Sequence, residues 1–91
     1  IKNIGNYTNN SRECFVRNIK IIFTEKGCYN LPQQLNLLNN VITDYMLISY
    51  LRKSNYRTPT LKNLDKIADQ LNLTTFELIK EDNNEEGNFA N

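Results

Sequence analysis

The chain contains no histidine, only two cysteines, and just three glycines and two prolines in 91 residues. Without histidine, Cys14 and Cys28 are too few soft ligands for a four-ligand zinc site. No metal and no cofactor are therefore expected. The missing imidazole also removes the commonest general base, and neither a glycine-rich phosphate loop nor a pair of inward carboxylates replaces it. The sequence does not read as an enzyme. No apolar run approaches the roughly 20 residues that span a bilayer. The start, "IKNIGNYTNN", lacks the basic segment and long apolar stretch of a signal peptide. A soluble, cytoplasmic protein with no membrane partner is expected, its two thiols reduced, with Cys14 on a first helix and Cys28 just beyond the end of that helix.

No linker rich in glycine, serine and proline divides the chain, no internal repeat occurs, and alternation of period two is never sustained. With 40% hydrophobic residues, a chain of this length can build one core and little more. The charge is distributed unevenly along it. From Arg12 to Lys66 nine basic residues face four acidic ones, a balance of +5; from Ile67 to Asn91 Lys80 faces six acidic residues, a balance of -5; Lys2 supplies the remaining +1. A basic body of this kind would steer a polyanion.

The apolar spacing is helical. Phe15 or Val16, Ile19, Ile22 and Phe23 predict a first helix from Ser11 to Lys26, capped by Asn10 with Glu13 and ended by Gly27. Residues 1–10 are expected to form a flexible arm. In "CYNLPQQLNLLNN", Asn30 is a cap and Pro32 sits in the first turn, where its missing N–H is harmless. Leu31, Leu35 and Leu38 line the inner face of this second helix, and Asn39-Asn40 ends it. Thr43 caps a third helix and Thr60 a fourth, the latter carrying Leu61, Leu64, Ile67, Ala68 and Leu71. Thr74-Thr75 opens a short fifth helix with Phe76, Leu78 and Ile79 that closes the core. The acidic end, 81–91, has little to bury and is expected to be disordered.

On the third helix, residues lie about 100° apart. The expectation is that Leu47, Ile48 and Leu51 point inward, while Tyr45, Met46, Ser49, Tyr50 and Lys53 share the outer side, with Arg52 beside them. Hydroxyls, aromatic rings, a thioether and cations on one surface suit base edges, thymine methyls and phosphates.

Residues 15–80 resemble the phage-repressor helix-turn-helix family, the Cro-like or XRE-type DNA-binding domains. The matching pieces are "EKG" closing the first helix, "LISYL" in the third, and "RTPTLKNLDKIADQLNLTTFELI", where Pro59, Leu61, Leu64, Ile67, Ala68, Leu71 and Leu78 sit at family spacing. The first half departs from the pattern. Bulky Leu35, Leu37 and Leu38 occupy the second helix, and the turn reads "NNVIT" where the family has glycine. Either Leu38 and Ile42 take the small-residue and glycine positions, or the turn holds an inserted residue, with Asn39 replacing glycine conformationally. After the third helix, Ser54 or Asn55 stands in place of the usual glycine.

The resemblance implies an all-α, compact five-helix lambda-repressor-like domain over residues 11–80. It places Thr43, Tyr45, Met46, Ser49 and Tyr50 at or near the major groove and Gln33 or Gln34 against the DNA backbone or the recognition helix. Lys53, Asn55, Tyr56 and Arg57 then meet phosphates, helped by Arg52. The implied function is a sequence-specific transcriptional regulator, a repressor of phage, plasmid or mobile-element type, binding double-stranded operator DNA as a homodimer. The alternative is a protein-interaction module of the same fold, an antitoxin, antirepressor or phage anti-host factor, that uses the Tyr45, Met46 and Tyr50 face or the acidic C-terminal tail.

Overall fold

Each helix after the first begins at a side chain that accepts a backbone N–H. The structure, a computed structural model, describes residues 2–81, with side chains from Ser11 onward. Asn30 accepts from the amide of Gln33 at the start of α2 (Leu31–Leu37), and Thr43 from that of Met46 at the start of α3 (Asp44–Leu51). Thr60 does the same for Asn63 at α4 (Leu61–Gln70), and Thr74 for Glu77 at α5 (Thr75–Ile79). These caps satisfy amides that have no partner within their own helix.

The first helix differs from expectation. α1 spans Lys2–Glu25, so Asn10 has helical backbone and cannot be an N-cap. A cap signal marks where a helix can begin without forbidding an earlier start. No proline interrupts residues 2–10, and an interior asparagine costs only a fraction of a kcal/mol. The expected flexible arm is therefore replaced by helix from Lys2, while the acidic tail lies outside the described residues.

Most left-handed turn positions among the described residues hold asparagine and not glycine. Gly27 has φ +73° just past α1, but Asn39, Asn40, Asn55 and Asn72 also hold positive φ, between 52° and 58°. Asparagine tolerates this left-handed region better than other side-chain-bearing residues. Asn39 and Asn40 turn the chain between α2 and α3, Asn55 turns it after α3, and Asn72 after α4.

All the described residues form helices and turns, with no strand among them. The core joins Phe15, Ile19 and Phe23 of α1 to Leu47 and Tyr50 of α3, to Leu64, Ile67 and Ala68 of α4, and to Leu78 of α5. Leu38 and Ile42, one on each side of the asparagine turn, are also buried. Leu61 and Phe76, expected inside, are 67% and 62% exposed. Leu61 stands at the first position of α4, at the rim of the apolar stripe, and Phe76 leaves the inner side of α5 to Leu78. No helix among the described residues is long and apolar enough to cross a membrane.

Burial pushes the thiol of Cys14 up from its ordinary value, against the opposing pull of Arg17. Both cysteines are free, Cys14 buried and Cys28 partly exposed. Because the thiolate is the reactive form, iodoacetamide should modify Cys28 in the native protein and Cys14 only on unfolding. Intact-mass measurement with and without urea reads this directly.

In α5 the amide of Thr74 donates to Glu77 Oε1 at 2.8 Å, completing a reciprocal capping box. That bond holds the Glu77 carboxyl below its ordinary range. A folded-state value below the unfolded one adds stability above the unfolded value, about 4.3 for glutamate, and this stability is lost as pH falls through the lowered folded value. Below about pH 4.3, urea midpoints should fall more steeply for the native protein than for Glu77→Gln.

Candidate nucleic-acid interface

The sequence "DYMLISYL" is apolar or aromatic around most of its circumference, so its periodicity does not determine which side faces in. Its neighbours decide. Leu47 is fully buried, Tyr50 is 3% exposed, and Met46 and Leu51 pack partly against the core. The exposed side carries Asp44, Tyr45 and Ile48, with Tyr45 57% and Ile48 47% accessible. Relative to expectation, the helix is turned by about a third of a revolution.

Three assignments change in consequence. Ser49 is fully buried, and its hydroxyl donates to the Met46 carbonyl at 2.8 Å, which satisfies it without solvent. Tyr50 lies edge-on to Phe15, with ring centroids 6.2 Å apart, and its hydroxyl accepts from Asn63 Nδ2 at 3.0 Å. Neither can reach a groove. Ile48, expected in the core, is on the surface because Tyr50, two residues on and about 200° round the helix, takes the inner position. Met46 is half-buried and only partly available.

Of the remaining candidates, Tyr45 and Arg57 come together, and Arg52 and Asn55 meet within the turn after α3. Thr43 is exposed at the N-terminus of α3, its Oγ1 engaged by the Met46 amide at 3.1 Å. After α3 the chain doubles back, and the Arg57 amide donates to the Ser49 carbonyl at 2.9 Å. This bond fixes Arg57 beside the helix, with its guanidinium carbon 5.8 Å from the centre of the Tyr45 ring. Such a cation over an aromatic face is favourable by about 0.5–1 kcal/mol at an exposed site. Arg52 Nε donates to the Asn55 carbonyl at 2.9 Å, closing the turn, and Lys53 and Asn55 are exposed on it.

At α2 the two glutamines are already engaged. Gln33 Oε1 accepts from the Tyr29 amide at 2.8 Å, and Gln34 Nε2 donates to the Cys28 carbonyl at 3.3 Å. Gln33 is exposed and Gln34 half-buried, so Gln33 has the better access to a ligand and Gln34 buttresses the loop before α2.

Arg12, absent from the sequence-based candidates, organises this surface from behind. Its Nη2 donates to the Tyr50 carbonyl at 2.7 Å and the Arg52 carbonyl at 2.9 Å, at the end of α3 where helical carbonyls lack partners. Its guanidinium carbon lies 3.6 Å from the centre of the Tyr56 ring. Tyr56 is thus a half-exposed cover for Arg12. The only signal for this in the sequence is an arginine near the inner stripe of α1, which does not specify contacts 38 and 40 residues away.

No protein-family model, curated protein or solved structure matches the chain. Fold and site define a class: a five-helix, all-α domain whose third helix presents Thr43, Tyr45 and Ile48 beside a turn carrying Arg52, Lys53 and Arg57.

Proposed function

We propose that this domain is a lambda-repressor-like helix-turn-helix DNA-binding module that reads the major groove with α3. One observation carries the reading: the exposed Tyr45 and Ile48 of α3 lie beside a cationic turn that the Arg57-to-Ser49 backbone bond ties to the helix. In such domains the N-terminal part of the recognition helix contacts base edges while flanking cations and amides meet phosphates. Thr43 and Tyr45 supply the polar contacts and Ile48 an apolar one suited to a thymine methyl. Arg52, Lys53, Asn55 and Arg57 contact phosphates, and Gln33 contacts the backbone at the start of α2.

A single module of this size buries limited DNA surface. The functional form is therefore a homodimer on a two-fold operator, its recognition helices about 34 Å apart, acting as a transcriptional repressor of phage, plasmid or mobile-element type. The second reading is a protein-binding module of the same architecture, favoured by the exposed apolar area of Tyr45 and Ile48, since aromatic residues and arginine are enriched at protein interfaces.

Selection of bound sites from random duplex DNA distinguishes the two. A consensus should emerge, and Tyr45→Ala or Ile48→Ala should change it, each by about 1–3 kcal/mol at one base position. Ser49→Ala should leave it intact. Failure to enrich any site, with binding to a protein that persists as salt rises, would favour the second reading.

A further inference from the structure

Asp44 is the one acidic residue between Glu25 and Asp65, a stretch that also holds Lys26, Arg52, Lys53, Arg57 and Lys62. It opens α3 and, with Tyr45 and Ile48, makes up the exposed residues of that helix. Ile48 follows it by one turn on the same side. Among the described residues its carboxyl has one partner, the Tyr45 amide, which donates to Oδ1 at 2.7 Å; Oδ2 has none, and no cation pairs with the group. Asp44 thus puts an unpaired negative charge on the side of α3 that the DNA-binding reading turns toward a polyanion. Helix stability explains only part of this. A carboxylate suits the partial positive charge of a helix N-terminus, but Thr43 already caps α3, and the Tyr45 amide needs only an acceptor oxygen, which an uncharged asparagine also supplies.

We infer that Asp44 is a specificity-determining residue that accepts a hydrogen bond from the N4 amino group of a cytosine in the major groove. The inference rests on the DNA-binding reading and adds to it the base that one position selects. The first residues of a recognition helix are those that meet base edges. Guanine presents only acceptors there, and thymine an acceptor and a methyl group; adenine sets its N6 donor beside the N7 acceptor, which repels a carboxylate. Cytosine alone presents a donor without an acceptor of its own. The charge on Asp44 therefore opposes binding to most sequences and is satisfied at one, while Arg52, Lys53 and Arg57 supply attraction that is indifferent to sequence.

The test is selection from random duplex DNA with the full chain and with Asp44→Asn and Asp44→Ala. The native protein should fix cytosine at one position of the selected site. Asp44→Asn should move that preference to adenine, because a side-chain amide bonds adenine N6 and N7 together, and Asp44→Ala should accept all four bases there. In fluorescence anisotropy, exchanging that C·G pair for T·A should weaken the native protein on the order of 5- to 150-fold and leave Asp44→Ala unchanged. On an unrelated duplex both variants should bind more tightly than the native protein, since a negative charge has left the surface that meets phosphates. Asp44→Asn keeps both the Oδ1 acceptor and the Thr43 cap, so it tests the assignment even if Asp44→Ala unfolds. A selected site whose preferences survive unchanged in folded Asp44→Asn, or a loss of affinity for every duplex alike, would overturn the role of Asp44 and leave the DNA-binding reading standing. A native protein that enriches no sequence would overturn both.

Discussion

Phe15→Ala is expected to remove a large part of the protein's stability. Phe15 is 1% exposed and faces Tyr50 edge-on. Removing a buried phenylalanine costs about 3–5 kcal/mol, a sum that includes the aromatic pair with Tyr50, itself about 0.5–1.5 kcal/mol beyond burial. The total stability of a small domain is only about 5–15 kcal/mol. The effect should be specific to that side of α1. Ile21, on the same helix and 45% exposed, should change stability by less than about 0.5 kcal/mol when replaced by alanine. Urea unfolding of the two variants compares the effects, and equal midpoints would contradict the core described above.

The second large effect concerns binding. Lys53→Ala combined with Arg57→Ala should reduce affinity for duplex DNA on the order of 10–100-fold, with little change in sequence preference, because phosphate contacts position without specifying. Both side chains are exposed, so the fold should survive. Lys53 is exposed on the turn, and the turn is held by the backbone amide of Arg57, which alanine retains. Circular dichroism should therefore be unchanged while binding falls, a separation that a stability defect would not produce.

What was legible in the sequence was local. The caps Asn30, Thr43, Thr60 and Thr74 and the stop at Gly27 stand as expected, because each depends on residues within three or four positions. Asn39 and Asn55 in place of glycine follow from the same backbone chemistry. What was not legible depended on partners distant in the chain. The inner side of α3 is chosen by Phe15 and Asn63, which receive Tyr50, and its apolar sequence would permit more than one facing. The partners of Arg12 likewise arise only when α1 lies against the end of α3.

Asn18 makes the same point at the other end of the core. Its Nδ2 donates to the Leu78 carbonyl at 2.9 Å and the Lys80 carbonyl at 3.0 Å, serving the open end of α5. α1 therefore carries two side chains, Arg12 and Asn18, that satisfy the C-termini of short helices later in the chain. Those two helices are eight and five residues long, too short to persist in water alone. Their shape is maintained by packing and by these side-chain bonds, so α1 positions the candidate DNA-binding surface without belonging to it.

The central claim is that the α3 face and its cationic turn bind duplex DNA, and the most direct test is the salt dependence of that binding. Fluorescence anisotropy with a labelled duplex carrying the selected site, across a range of salt concentrations, should give a linear fall of log affinity with log salt. The Arg57→Ala protein should give a slope shallower by about 0.9. An affinity insensitive to salt, or identical slopes for the native and Arg57→Ala proteins, would contradict this assignment of the surface.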